Sequence, residues 1–285
     1  KKLMKKIYLS TIAFNDNIKD TYNSCLNLNI GIEFSSGIQY NSENINTFKR
    51  TKGPKLSHNY FPAPKTDFVL NLASKNEIIR KRSIEHCIFN LELCYEEQTD
   101  FYAAHAGFCL DPNPNQLGKK ISSSSYFSKE KHFDIFLKSV NEIILHAKKL
   151  DIIFLIENNV LSNENWIANK ARNPFLCCSS DEIVKLFESI DSNNFGLLLD
   201  TAHLKVSSKS LSLNLDEEYV KIKKYIKAIH HSDNQGLEDT NSILTKKYWF
   251  LDYMANHYDL PNVIEVKNLS IEQLKTQLDL LKLNY

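Results

Sequence analysis

Several familiar patterns are missing from this chain of 285 residues. No apolar run approaches the roughly 20 residues of a membrane-spanning helix, and the start, KKLMKKIYLS, lacks the long apolar region of a signal peptide. The 35 Lys and Arg residues are balanced by 34 Asp and Glu residues, so the chain has no basic excess to set against the phosphates of a duplex. A membrane and nucleic acid are therefore disfavoured partners, and we expect a cytoplasmic protein.

Glycine-rich and cysteine-paired motifs are missing as well. With seven glycines and neither GxGxxG nor GxxxxGK[ST], the sequence excludes nucleotide-binding turns of those two types. None of the six cysteines stands in a CxxC pair, and the adjacent Cys177 and Cys178 have poor geometry for a disulfide or a zinc site. The cysteines are therefore predicted to be small buried residues in a reducing compartment.

The chain does contain eight short apolar runs with longer helical patterns between them. The runs are KIYLSTIAF (6–14), NIGIEFSSG (29–37), KLSHNYFPAP (55–64), TDFYAAHAGF (99–108), DIIFLIENNV (151–160), NFGLLLDTAH (194–203), YIKAIHHSD (225–233) and NVIEVKN (262–268). Between them apolar residues return every three or four positions, as in residues 76–97, 133–150, 179–190 and 270–283. Apolar strands that alternate with helices are typical of a parallel sheet covered by helices.

Eight such units close into an α/β fold of the (β/α)8 TIM barrel type, at a usual length of about 250 residues. The competing doubly wound sheet usually shows a glycine-rich first turn, whereas NDNIKD follows the first run here. We expect a single domain over residues 1–285, in which residues 1–3 are an added remnant ahead of Met4. The last helical pattern, from Glu272 onward, places leucines either against the barrel or against a second subunit, which leaves a homodimer open.

Residues able to bind a metal or move a proton stand at the ends of seven of the runs, where a barrel of this type carries its catalytic groups. They are Glu33, His58, His105, Glu157, Asp200 with His203, His230 with His231, and Glu265. Any one of them alone is an ordinary capping or hydrogen-bonding residue. Their recurrence over seven strand ends indicates a functional site.

Alternation along the strands supports the same site. Leu155 and Glu157 share one face of their strand, as do Leu198 and Asp200, and Val263 and Glu265. Carboxylates that converge at the top of a closed barrel repel each other unless a cation lies between them. A set of carboxylates with an imidazole suits a divalent ion such as Mn²⁺, Mg²⁺, Co²⁺ or Zn²⁺ and leaves coordination positions open for a substrate.

The motifs at these strand ends resemble those of the xylose isomerase-like TIM barrel superfamily, which holds sugar isomerases and epimerases as well as endonuclease IV. The resemblance is carried, in order, by GIEFSSG, HNYFPAP, HAGF, IENN, DTAH, HHSDN and IEV. It implies that Glu157, Asp200, His230 and Glu265 bind the metal and that His203 contacts the substrate. His230 is preferred to His231 because the family pattern is a histidine, two residues, an acid and an asparagine.

The resemblance also implies a reaction, the isomerisation or epimerisation of a carbohydrate or sugar phosphate. Glu157 and Glu265 would exchange a proton with the carbon beside a metal-polarised carbonyl, while His203, His105, His58 and Glu33 would line the pocket. HNYFPAP with FVLNLAS (68–74) is similar to a subgroup associated with surface-polysaccharide biosynthesis.

An endonuclease IV-like hydrolase of a phosphate ester or phosphodiester is the alternative. There His58 and His105 hold a second metal together with Glu157. The third metal of those enzymes needs a DxH pair, and this chain has Asp239-Thr240-Asn241, in which asparagine is a weaker ligand than histidine. One bound ion would therefore indicate the isomerase, two ions bridged by Glu157 the hydrolase, and none a barrel that only binds a sugar.

Overall fold

A computed structural model describes residues 6–116, 119–121, 127–170 and 172–283. In these ranges the strands are β1 (Ile7–Ser10), β2 (Gly31–Phe34), β3 (Lys55–His58), β4 (Phe101–His105), β5 (Ile153–Glu157), β6 (Phe195–Asp200), β7 (Ile226–His231) and β8 (Asn262–Ile264). Each strand pairs in parallel with the next, and β8 pairs with β1 to close the sheet. The predicted (β/α)8 barrel is confirmed, while residues 1–3 and Met4 lie outside the described ranges.

Helices connect the strands and cover the outside of the barrel. They are α1 (Ile18–Leu28), α2 (Asn44–Arg50), α3 (Glu77–Glu97), α4 (Lys129–Leu150), α5 (Asn163–Ala168), α6 (Ser180–Ser189), α7 (Thr201–Ser210), α8 (Leu215–Ile222) and α9 (Ile271–Leu283). The four segments predicted as helices correspond to α3, α4, α6 and α9. In the described part of the chain, none of the helices combines the length and the apolar character that crossing a membrane requires.

Polar side chains begin and end these helices as expected from capping preferences. The Asn76 side chain accepts hydrogen bonds from the N–H groups of Ile78 and Ile79 at the start of α3, and that helix ends at Gln98 in the left-handed conformation. The start of α6 is different, because the side chain of its first flanking residue, Ser179, makes no capping hydrogen bond. Ser180 donates both its N–H and its hydroxyl to Glu218 of α8, at 2.6 and 2.8 Å, so the start of α6 is held by a neighbouring helix.

The barrel interior is filled by apolar side chains below the carboxyl ends of the strands. This interior cluster consists of Tyr8, Leu56, Phe101, Ala103, Leu155, Leu198, Ala228 and Val263. Six of its members stand two positions before a residue that the sequence analysis singled out: Leu56 before His58, Ala103 before His105, Leu155 before Glu157, Leu198 before Asp200, Ala228 before His230, and Val263 before Glu265. Because alternate residues of a strand share a face, the apolar layer carries a polar layer above it.

Two glycines make room for large side chains in that interior. A Cβ at Gly31 would lie 2.3 Å from the ring of Tyr8, and a Cβ at Gly196 would lie 2.5 Å from the side chain of Lys227. Lys227 is the residue that the pairing of β6 with β7 skips, since the register shifts between Leu197 and Leu198. The larger apolar core lies between the strands and the helices.

The remaining predictions about packing concern the cysteines and the last helix. All six cysteines are free and buried, as predicted, and burial raises the pKa of the Cys25 thiol to about 12. Three leucines of α9, Leu274, Leu278 and Leu281, are buried in the core of the same chain. These leucines of α9 therefore pack against the barrel, which is one of the two partners predicted for them.

Candidate metal centre

The polar layer above the interior cluster gathers the strand-end residues into one site at the carboxyl end of the barrel, called here the barrel mouth. Glu33, His58, Glu157, Asp200 and His230 are each at most 2 % exposed. The side chains of Glu265 and His105 are 12 % and 25 % exposed, so they form the open side of the site. The strands bring all seven predicted strand-end positions together.

Glu157 lies at the centre of the site, and its two carboxylate oxygens face different histidines. Its Oε2 lies 3.1 Å from Nε2 of His58 and 3.5 Å from Nε2 of His105. Its Oε1 lies 3.4 Å from Nδ1 of His203 and 3.9 Å from Nδ1 of His230. One carboxylate is thus shared between two groups of imidazoles, which is the arrangement of a ligand that bridges two metal ions.

Asp200 ends β6 and also begins α7, which fixes its direction. One carboxylate oxygen accepts the N–H of His203 at 2.8 Å, while the Asp200 N–H donates to the side chain of Asn158 at 2.8 Å. The other oxygen, Oδ2, is buried and has no hydrogen-bond partner among the described residues. This oxygen is therefore free to bind a cation, which would offset the cost of burying the ionised carboxylate.

His230 lies between two carboxylates, those of Glu33 and Glu265. Nε2 of His230 lies 2.9 Å from Oε2 of Glu33, and Nδ1 lies 3.1 Å from Oε2 of Glu265. Glu33, which was predicted to line the pocket mouth, is 1 % exposed and is directed inward onto His230. The neighbouring His231 faces away from the site and is hydrogen-bonded to Tyr248 and Asn262.

His203 connects the centre to a residue that the sequence analysis did not include in the site. Its Nδ1 donates to the carbonyl oxygen of Asn158 at 2.8 Å, and its Nε2 lies 3.3 Å from Asp239 and 3.7 Å from Asp200. Asp239 belongs to the Asp239-Thr240-Asn241 stretch, in which Asn241 has a positive φ of 45°. The signal for Asp239 was the incomplete DxH pattern, in which the aspartate is present although Asn241 replaces the histidine.

The electrostatics of the site follow from burial opposed by close opposite charges. Burial alone would raise the pKa of Glu157, but the adjacent His105 and His58 hold the pKa of this carboxyl well below its usual value. Burial lowers the pKa of His105 to about 4, so this imidazole is neutral at neutral pH and can offer a lone pair. Burial raises the pKa of Asp200, and the carboxylates of Glu265 and Asp239 raise it further.

Several buried polar atoms of the site lack hydrogen-bond partners. Such atoms show whether the site is suited to divalent ions. Among the described residues, Glu33 Oε1, His58 Nδ1, Glu157 Oε2, Asp200 Oδ2 and Asp239 Oδ1 are buried without a hydrogen bond of acceptable geometry. Buried polar atoms are rarely left in this state, because each loses its hydration without compensation. Two overlapping sets, His58 with His105 and Glu157, and Glu157 with Asp200 and His230, bring ligand atoms within 4.8 Å of one another. The residues present fit divalent ions.

The fold and this cluster define a (β/α)8 barrel with a histidine and carboxylate centre at its mouth. Residues 38–261 match the family described as "Xylose isomerase-like TIM barrel", and the chain belongs to that family. A relative from Persephonella marina, "Probable endonuclease 4", is 26 % identical over 179 residues, which are 60 % of this chain and 53 % of that protein. The chain therefore spans about half the length of this curated relative.

Two solved structures show how widely the fold is shared. A D-tagatose 3-epimerase-like protein is 20 % identical, with a TM-score of 0.71 over 99 % of this chain and 97 % of that one. Endonuclease IV from Thermus thermophilus is 13 % identical, with a TM-score of 0.58 over 98 % of each chain. Both similarities establish the fold.

Proposed function

We propose that this protein is a hydrolase of phosphate esters that uses two divalent metal ions. The observation that supports this function above the isomerase is the position of Glu157, whose two oxygens face separate histidine pairs. An isomerase of the kind expected from the sequence needs only the set around Asp200 and His230. In that reaction His58 and His105 would only line the pocket, whereas in the hydrolase they complete a second set of ligands at the other oxygen of Glu157.

The proposed ligands divide as follows. His58, His105 and Glu157 hold one ion, and Glu157, Asp200, His230 and Glu265 hold the other. When bound, the ions supply neutralisation of the phosphate charge and activation of water. A divalent ion such as Zn²⁺ or Mn²⁺ suits this mixture of imidazoles and carboxylates.

His203 and Asp239 complete the proposed reaction on the side of the leaving group. Burial would lower the pKa of His203, but the carboxylates of Asp200 and Asp239 raise it well above its usual value. Its Nδ1–H is engaged by the Asn158 carbonyl, so the proton that can be transferred is the one on Nε2. His203 would donate this proton to the departing oxygen, with Asp239 holding the ring in place.

A small phosphate ester of a carbohydrate is the proposed substrate class. Lys and Arg exceed Asp and Glu by one residue (35 against 34), which offers little charge for the many phosphates of a duplex. Because relatives of this chain are named probable endonuclease 4, a phosphodiester of DNA is the alternative substrate to be tested beside the sugar phosphate.

An isomerase or epimerase acting on a sugar is the second candidate. One observation favours it: Glu265 and Glu157 approach the same nitrogen of His230, at 3.1 and 3.9 Å, so two carboxylates border one region of the pocket. In that reaction a bound ion would supply polarisation of the carbonyl, while one of these carboxylates would remove the proton from the neighbouring carbon and the other would return one.

Counting the ions separates the two candidates. Protein stripped with a chelator and reloaded with Zn²⁺ or Mn²⁺ is expected to bind two ions per chain by elemental analysis, and His105→Ala one. His146→Ala, on α4 against Glu92, is the matched control and should keep both ions. The loaded enzyme should release phosphate from sugar phosphates. One ion in the wild type, unchanged in His105→Ala, together with exchange of a sugar C–H proton with solvent, would establish the isomerase instead.

A further inference from the structure

The geometry points to Glu33 as a positioning residue that orients His230 for metal binding. This inference rests on the proposed metal centre and adds to it a residue that is not counted among the ligands. Glu33 Oε2 lies 2.9 Å from Nε2 of His230, and both side chains are at most 1 % exposed. The two residues stand 197 positions apart and meet across the barrel interior.

A neutral imidazole carries one N–H, and its other nitrogen offers a lone pair. Because a carboxylate accepts hydrogen bonds and donates none, Glu33 keeps the N–H of His230 on Nε2. The lone pair is then on Nδ1, which faces Glu265 Oε2 at 3.1 Å and Glu157 Oε1 at 3.9 Å. In the metal-loaded protein this lone pair would be available to the ion, beside the carboxylates of Glu265 and Glu157.

Glu33 has one competing role, that of a ligand in its own ion site with His58 and His230. That site would need the lone pair of His230 on Nε2, which would turn an N–H on Nδ1 towards Glu265 and remove His230 from the set that contains Asp200. The opposite assignment is favoured because Nδ1 of His230 is the nitrogen that lies near two of the proposed ligands, Glu157 and Glu265. A carboxylate behind a ligating histidine fixes its tautomer and strengthens its binding, and loss of such a partner weakens metal affinity about 10- to 100-fold.

The experiment compares Glu33→Gln and Glu33→Leu with the wild type. Gln keeps an oxygen that accepts the Nε2–H, whereas Leu does not. We expect the dissociation constant for Zn²⁺, measured by chelator competition, to rise about 10-fold or less in Glu33→Gln and about 100-fold in Glu33→Leu. In histidine-labelled, Zn-loaded protein, the ¹⁵N shifts of His230 should report Nε2–H in the wild type and in Glu33→Gln.

Glu97→Gln is the matched control, since Glu97 is a half-buried acid whose partner, Lys55, lies 2.8 Å away at the other end of the barrel. Glu97→Gln should lower stability while leaving the Zn²⁺ affinity unchanged. The Glu33 variants would behave in the same way if the role of Glu33 were purely structural. Two bound ions in the wild type with unchanged affinity in both Glu33 variants would overturn the inference and leave the proposed function intact. Loss of one whole ion in Glu33→Gln would make Glu33 a ligand and overturn it too, and a wild type that binds no ion overturns both proposals.

Discussion

Replacing Asp200 by asparagine should stabilise the metal-free protein and abolish its stabilisation by metal. Asparagine keeps the shape of the side chain and the oxygen that accepts the His203 N–H, so the start of α7 is preserved. What it removes is a buried carboxyl whose second oxygen has no partner among the described residues. The substitution therefore separates two effects of this carboxyl: the destabilisation that it causes without metal and its contribution to stabilisation by bound metal.

The size and pH dependence of the effect follow from the pKa of Asp200. Burial and the neighbouring carboxylates raise this pKa well above 3.8, the value in an unfolded chain. A group whose pKa is raised on folding contributes stability at low pH and loses it as pH rises towards the folded value. The loss is about 1.4 kcal/mol for each pH unit between the unfolded pKa and the folded one.

The assay is urea unfolding in the presence of a chelator, from about pH 4 to pH 7, for the wild type, Asp200→Asn and the control Asp191→Asn. The advantage of Asp200→Asn should be near zero at the acid end and increase with pH, while the exposed Asp191 should show no such trend. Metal at about 100 times its dissociation constant should then add about 2.7 kcal/mol to the wild type alone. Equal or lower stability of chelated Asp200→Asn at neutral pH would refute the reasoning.

Two further substitutions test the surroundings of the site. Burial lowers the pKa of His231 to about 4, so the unfolded chain takes up a proton at this residue before the folded protein does, and stability is lost as pH falls from about 6.5 to about 4. In urea unfolding, His231→Gln should reduce the slope of stability against pH by about 1.4 kcal/mol per pH unit. An unchanged slope would mean that His231 is charged in the folded protein. Gly31→Ala should destabilise the protein by about 1–3 kcal/mol because the added Cβ would lie 2.3 Å from the Tyr8 ring. This destabilisation should be smaller when Tyr8→Leu is also present. Equal destabilisation with and without Tyr8→Leu would exclude this contact as the cause.

Much of the barrel and of its mouth could be predicted from local pattern. Each strand is a short apolar run, and alternation alone places Leu198 inside the barrel and Asp200 above it. The order of the strands around the barrel follows their order in the chain, so residues at consecutive strand ends necessarily become neighbours. This is why a list of strand-end residues already contained most of the candidate centre.

The contacts that could not be predicted depend on distances across the barrel and on irregular backbone. Glu33 meets His230 on the far side of the interior, and alternation indicates the direction of a side chain but not which opposite residue it reaches. The register shift beside Lys227 leaves no mark in the apolar pattern. Asp239 lies in the loop after β7, where no period connects sequence position with direction.

One strand of the barrel contributes no acid or imidazole to the polar layer. On β1 the corresponding residue is Ser10, two positions after Tyr8, and its buried hydroxyl has no partner among the described residues. The charged residues therefore form a horseshoe whose gap lies at the seam between the first and last strands. Glu33 and Glu265 stand on either side of that gap and both contact His230. Through His230, Glu33 and Glu265 therefore link β2 to the end of β8 across this gap and hold the two edges of the sheet together from inside the barrel.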